Sequence, residues 1–310
     1  ALLKENGFEN DYAQVGLEGV TNESSDAELV KAVVKFQMKL FPDNKKEQDG
    51  MYGTVTFEAH RNSLTGAALN DLKQKVKEAR EARLAAEGPM VAHDKIDSGI
   101  TTAYGITADV IERATSECAK SAEIEEIPAR ENFMRLVDYA AHATDVPPSA
   151  IVAIAYAESS GSFKPDSFGP VEELGMGQFL KKYWDGYRKN AIFTREMAKF
   201  TTQDPTTIGR ARSIVGDLLA IGIKLKQSER VVGEFDYNTK LNPEQLIKMR
   251  FHYHAPGYAA AHYDVTNRGV EYKASADAAY ERYKYRYESR FADKAVAIDD
   301  QVRQAIANLG

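Results

Sequence analysis

At 310 residues, 43% of them hydrophobic and 28% charged, the chain is long enough for a full-size globular domain and a smaller one. The net charge of −6 argues against nucleic-acid binding, which needs a basic face, and no stretch approaches the roughly eighteen consecutive apolar residues of a membrane helix. The single Cys118 excludes an internal disulfide and any cysteine-based zinc or redox motif.

The first residues hold no basic region followed by an apolar core, so no cleavable signal peptide is expected in this chain; the absence of an initial Met allows for removal of an upstream piece. Leu2 to Phe8 reads as the end of a helix closed by Gly7. Ser25 to Glu28 suits a helix N-terminus, followed by apolar positions at Leu29, Ala32, Val33, Phe36 and Leu40 at helical spacing. Gly50 and Gly53 mark a tight turn, and Thr54 can cap a short helix through about His60. Residues 67–87, rich in Ala, Glu, Lys and Arg, predict a semi-rigid connector helix ended by Gly88 and Pro89, and residues 88–106 read as a linker or irregular crossing segment.

From Thr107 the pattern is helical again. Val110, Ile111, Ala114 and Cys118 mark one helix, on whose apolar side Cys118 is a buried thiol rather than a nucleophile. Phe133, Leu136, Val137, Ala140 and Ala141 mark a second. Pro147 and Pro148 then open a helix whose apolar run, Ala150 to Ala157, ends in one carboxylate, Glu158, with Gly161 as the stop. An acid in the last turn of a buried helix is disfavoured as a carboxylate both by apolar neighbours and by the negative end of the helix dipole, which suits a proton donor.

Residues 163–173 predict a loop with room for a small β hairpin. Gly175 and Gly177 lack side chains where a ligand would approach the backbone, and Gln178 can donate and accept hydrogen bonds at once. Tyr183, Trp184 and Tyr187 follow at helical spacing, Trp184 as a core anchor and Tyr187 as either core or stacking surface. Residues 210–225 predict an amphipathic helix through Ile214, Leu218, Ile221 and Leu225, and Pro243 to Tyr253 another. His252 and His254 fall on different faces of that helix with no nearby acid to complete a site, so no metal is expected. Tyr280, Tyr283, Tyr287 and Phe291 form a stripe on a charged C-terminal helix, read as packing.

Glu158-Ser159-Ser160-Gly161, then Gly175-Met176-Gly177-Gln178-Phe179 twenty residues on, then His252-Tyr253-His254-Ala255-Pro256-Gly257, resembles in order the three motif segments of the soluble lytic transglycosylases and goose-type lysozymes. This sequence departs from the family in having Ala255 where Gly is usual and His252-Tyr253 where many members read Tyr-Asn. Phe36-Gln37 with Asp49-Gly50, Gly53 and Thr56 resembles the small three-helix peptidoglycan-binding domain of cell-wall hydrolases. Together these resemblances imply a mainly α protein with a peptidoglycan-binding domain at 1–66, a helical connector and linker at 67–106, a lysozyme-like catalytic domain at 107–272 and a C-terminal helix, 273–310, packed on it.

The implied activity is cleavage of the β-1,4 bond between N-acetylmuramic acid and N-acetylglucosamine, with Glu158 as acid and then base and a 1,6-anhydro product. No second carboxylate or cofactor is then required. The implied substrate-binding residues are Ser159, Gly175, Met176, Gln178, Tyr187, His252 and Tyr253, with either His252 or Tyr253 as the neighbour of Glu158. Tyr52, Thr54 and Thr56 would offer hydroxyls to the wall. With a net negative chain, attachment to an anionic wall would come from local groove contacts rather than long-range attraction.

Two alternatives stand beside this. Glu172 or Glu173 could position water for goose-type hydrolysis, or the chain could be a non-catalytic wall-binding component of a phage particle. The pairing of modules resembles phage endolysins and virion-associated lysins, which implies a monomer acting on the wall or in the periplasm, released through a holin or carried by the particle; a trimmed secreted enzyme fits the same modules.

Overall fold

The computed structural model describes residues 33, 34, 36–40, 43, 59, 66–120, 123–159, 163–167, 173–263 and 270–309. It divides into two compact units, one of Ala1–Ala86 with Phe168–Glu173 and one of Glu87–Ser167 with Leu174–Gly310. The architecture is mainly helical, and no helix among the described residues is long and apolar enough to cross a membrane.

In the first unit, residues 33, 34 and 36–40 are helical, with Val33, Phe36 and Gln37 buried as the 3.6-residue spacing requires. Helix α1, Gly66–Ala86, forms where composition predicts a helix and belongs to the first unit, with side-chain pairs four residues apart at Gln74–Glu78 and Lys77–Glu81. The helix end at 2–8, the Gly50–Gly53 turn, and Tyr52, Thr54 and Thr56 lie outside the described residues.

The second unit begins where a linker was expected, and the expectation fails for a definable reason. Residues 87–106 are docked on the unit's core: Val91, Ile100 and Ile106 are buried, and backbone hydrogen bonds run from Val91 to Arg212 and from Asp97 to Lys199. Within this segment α2, Ser98–Tyr104, is capped by Asp97 and closed by Gly105. The apolar residues among these glycines and polar groups are too widely spaced to show a helical period, so composition alone resembles a linker.

Helix α3, Ala108–Ala119, starts at the Thr107 cap, whose side chain accepts from Val110 N–H. It buries Ile111, Ala114 and Cys118 against α4, Glu131–Thr144. Burial pushes the Cys118 thiol up, as befits a packed rather than reactive cysteine. Helix α5, Pro148–Glu158, has Pro147 at its cap and Pro148 at its first position, and every residue from Pro148 to Ala155 is buried.

Helices α6, Lys181–Tyr187, and α7, Ala191–Met197, lead into α8, Ile214–Lys226. The structure revises the amphipathic reading of 210–225: the helix starts at the Ser213 cap and is buried on all sides from Ile214 to Ile223. Such a helix is the centre of a bundle rather than its surface. Where α8 crosses α4, a Cβ on Gly222 would meet the Thr144 side chain, so glycine permits the close approach.

Helix α9, Glu229–Val232, precedes α10, Pro243–His254, which opens with a capping box between Asn242 and Gln245. Helix α11, Pro256–His262, follows. The C-terminal α12, Val270–Tyr287, runs through a π-helical turn, Glu288–Ala292, into α13, Asp293–Ala307. Tyr280 and Tyr287 pack against Phe251, in line with the packing role read from the stripe. Helix α13 is tied to α5 by a buried hydrogen bond from Ser149 to Asp299. No strand forms among the described residues, where one isolated antiparallel bridge joins Leu174 and Phe179; most of the loop in which a hairpin was expected, residues 168–172, lies outside them.

The buried pair Glu87–Arg210 joins the start of the unit to the turn before α8. Arg210 donates from Nη2 at 2.6 Å and Nε at 3.0 Å to Glu87 Oε1 and from Nη1 at 3.0 Å to the Phe179 carbonyl. Burial raises the Glu87 carboxyl, but the hydrogen bonds and charge of Arg210 outweigh it and hold the group below its ordinary value. A depressed carboxyl contributes stability that is present above its unfolded value and lost as pH falls through the folded one. Arg210→Met is expected to cost about 3 kcal/mol by urea denaturation at neutral pH, because it strands a buried carboxylate. The loss should shrink in acid, where Glu87 is protonated.

Candidate active site

The Glu158 carboxylate stands at the C-terminal end of α5 with its side chain 18% exposed. Arg250 of α10 donates from Nη1 to its Oε1 at 2.6 Å. The apolar surroundings expected for the acid are therefore broken on one side by a guanidinium. Oε2 of Glu158 has no hydrogen-bond partner among the described residues, which leaves one oxygen able to carry a proton.

One turn beyond Arg250 on the same helix, Tyr253 is 1% exposed. Its hydroxyl donates to the Gly177 carbonyl at 2.9 Å. Burial first, then the negative charge of Glu158, push the Tyr253 phenol well above its ordinary value. Of the two neighbours left open by the sequence, Tyr253 is thus the one whose electrostatics couple to Glu158. Lys224 of α8 places its ammonium 3.7 Å from the Tyr253 ring centroid, a cation–π contact.

His252 faces elsewhere. It is 2% exposed, and Arg230 of α9 donates to its Nε2 at 2.8 Å. Accepting there fixes the proton on Nδ1, which is buried with no partner. Burial first, then Arg230 and Lys224, lower the imidazole to about 4, so it is neutral at physiological pH. His254 instead meets the Tyr287 hydroxyl at 2.8 Å, so the two histidines do occupy different faces of α10.

The turn from Leu174 to Phe179 supplies the third side. Gly175 has φ +84°, and a Cβ there would lie 2.5 Å from Asp217 Oδ2, so both conformation and space require glycine. Gln178 is also left-handed, with φ +48°. Its amide NH2 donates to the Gly175 carbonyl at 2.8 Å and the Ser167 carbonyl at 3.1 Å, so it braces the turn and keeps only its oxygen for other partners. Met176 is fully buried, and its N–H donates to Asp217. Tyr187 is 9% exposed with its ring on Phe179, on the core side of the two readings left open. Trp184 is a core anchor whose indole donates to the Ile208 carbonyl. Ser159 is buried too; its hydroxyl accepts from Phe163 N–H at 2.8 Å and so shapes the chain leaving α5.

Most residues read as substrate-binding therefore act from beneath. Ser159, Gly175, Met176, His252 and Tyr253 have almost no exposed surface; Ser159 shapes the chain leaving α5, Met176 and Tyr253 bind the Leu174–Phe179 turn, and His252 pairs with Arg230. Gly161 and Glu172 lie outside the described residues, and Glu173 groups with the first unit.

Sequence reasoning missed Arg250, Lys224 and Asp217. Arg250 sits three residues before Tyr253 and so shares its helix face, a signal the sequence contained. Asp217 is the lone carboxylate in an apolar helix, the same signal that singled out Glu158. It is fully buried and accepts from Met176 N–H at 2.9 Å and Ala211 N–H at 3.3 Å.

Burial pushes the Asp217 carboxyl up to about 7, against those two N–H groups and the charge of Arg210. This is the reverse of the usual aspartate case. Between 3.8 and about 7 the folded state binds more protons than the unfolded chain, so stability falls as pH rises across that window. Asp217→Asn removes the titration, and its loss of stability relative to wild type, read from denaturation midpoints, should be larger at about pH 5 than at about pH 8.

Compared with known proteins, the chain matches no protein-family model, no curated protein and no solved structure, so the site is read from its own residues.

Proposed function

We propose that the chain degrades peptidoglycan as a lytic transglycosylase, cleaving the β-1,4 bond between N-acetylmuramic acid and N-acetylglucosamine, in the setting of a phage endolysin or virion-associated lysin. The observation that carries the reading is that α10 links the other two segments: its Arg250 donates to Glu158 at the end of α5, and its Tyr253 donates to the Gly177 carbonyl of the Leu174–Phe179 turn. These are the segments whose residues resemble the family's motifs, in the family's order. The N-terminal wall-binding part of the proposal rests on the Phe36-Gln37, Asp49-Gly50, Gly53 and Thr56 motif alone.

The chemistry asks one carboxyl group to do two jobs. Glu158 gives a proton to the glycosidic oxygen as the bond to C1 of the muramic residue breaks, and the substrate's own acetamido oxygen stabilises the cation that develops. The resulting carboxylate then takes the proton of the C6 hydroxyl as that oxygen closes on C1, forming the 1,6-anhydro ring and restoring the acid. Asp217, the other carboxylate whose charge reaches Tyr253, is sealed from solvent with both oxygens on backbone N–H groups. It supports the turn instead of serving as the second acid of a two-carboxylate mechanism.

Purified peptidoglycan digested with the intact chain should release anhydro-muropeptides by mass spectrometry, and Glu158→Gln should release none while still sedimenting with the wall. Reducing-end muropeptides would make the enzyme a hydrolase. Absence of glycan cleavage by the wild-type chain, with wall binding retained, would leave a wall-binding protein.

A further inference from the structure

We infer that Arg250 is the seat for a carboxylate of the substrate, and that filling it releases Glu158 to act as the acid. The inference rests on the reading of Glu158 as the catalytic acid and adds to it a source of substrate specificity.

A general acid must carry a proton, yet the Glu158 carboxylate accepts a 2.6 Å hydrogen bond from Arg250 as the anionic half of an ion pair. A guanidinium at 2.6 Å is a partner suited to a carboxylate rather than to a carboxylic acid, so the proposed proton transfer calls for a competitor for Arg250. Arg250 uses one of its five N–H groups on Glu158 and has no other hydrogen-bond partner among the described residues, and its side chain is 13% exposed. A planar guanidinium with N–H groups to spare takes a second carboxylate in a two-pronged geometry that the single-pronged bond to Glu158 does not use.

The surroundings favour an anion as well. Lys224 places a second cation near this face, over the Tyr253 ring one turn along α10 from Arg250. The proposed substrate carries carboxylates in two places: on the lactyl group of each muramic residue where no peptide is attached, and on the stem peptide where one is. When a substrate carboxylate takes the Arg250 fork, Glu158 loses its ion-pair partner and is free to take part in the proton transfer. Cleavage is thereby tied to arrival of an anionic glycan.

The test measures kcat/KM on four glycan preparations: peptide-free strands with lactyl carboxylates free or methyl-esterified, and peptide-bearing strands with peptide carboxylates free or methyl-esterified. Wild type is expected to prefer a free-acid preparation over its ester by about 10- to 100-fold, the range for a charge-assisted hydrogen-bond pair. A preference among peptide-free strands assigns the lactyl carboxylate, and one confined to peptide-bearing strands assigns the peptide. Arg250→Met should bring the ratio of free acid to ester close to one, and Arg250→Lys should keep part of it, with thermal midpoints showing that both variants fold.

A wild-type chain that cleaves acid and ester equally would overturn the inference and leave the transglycosylase reading intact. So would an Arg250→Met chain that loses activity on both while keeping the preference, because that is the mark of a purely structural arginine. A wild-type chain that cleaves none of the four would sink the enzyme reading itself and this inference with it.

Discussion

The buried carboxylate of Asp217 constrains much of what surrounds the site. It stands in the first turn of the central helix α8, reaches across to the Met176 N–H and occupies the space that any side chain at position 175 would need. If the turn relaxed, the fully buried Asp217 carboxyl would lose its N–H partners, and leaving a buried polar group unpaired is costly enough to keep the turn where it is. Arg210 reinforces the arrangement by donating to the Phe179 carbonyl at the turn's other end while paired with Glu87. Tyr253 then uses the same turn, through the Gly177 carbonyl, to place α10 against the end of α5.

That arrangement explains why so many polar residues near Glu158 face inward. Gln178 and Ser159 spend donors or acceptors on backbone groups, and Tyr253 and Met176 have no surface to offer a ligand. The Leu174–Phe179 turn is irregular backbone with no helix or strand ladder to satisfy its polar groups. Side chains satisfy several of them. Glu158 and Arg250 keep small exposed fractions, 18% and 13% of their side chains.

The helical bundle is equally dependent on a few exact fits of small residues. Gly222 allows α8 to lie against Thr144 of α4, and Ser149 joins α5 to Asp299 of α13, so the helix carrying Glu158 is gripped from both sides. The C-terminal helix contributes to the site through this grip on α5 rather than through a ligand-facing aromatic strip.

Local pattern alone determined the helices and their caps: Pro148 to Glu158 was legible from two prolines and an apolar run, α10 from its proline and capping residues, and Cys118 as a packed thiol from its spacing. Glu158 could be singled out because one charge at the end of an apolar helix is a signal within a single segment. The docking of residues 87–106, the full burial of α8 and the Arg250 partner of Glu158 were decided by tertiary structure. Each depends on what packs against a segment rather than on its own period. An ion pair between residues 158 and 250 leaves no trace in either neighbourhood, because the energy that forms it exists only once α5 and α10 have been brought together.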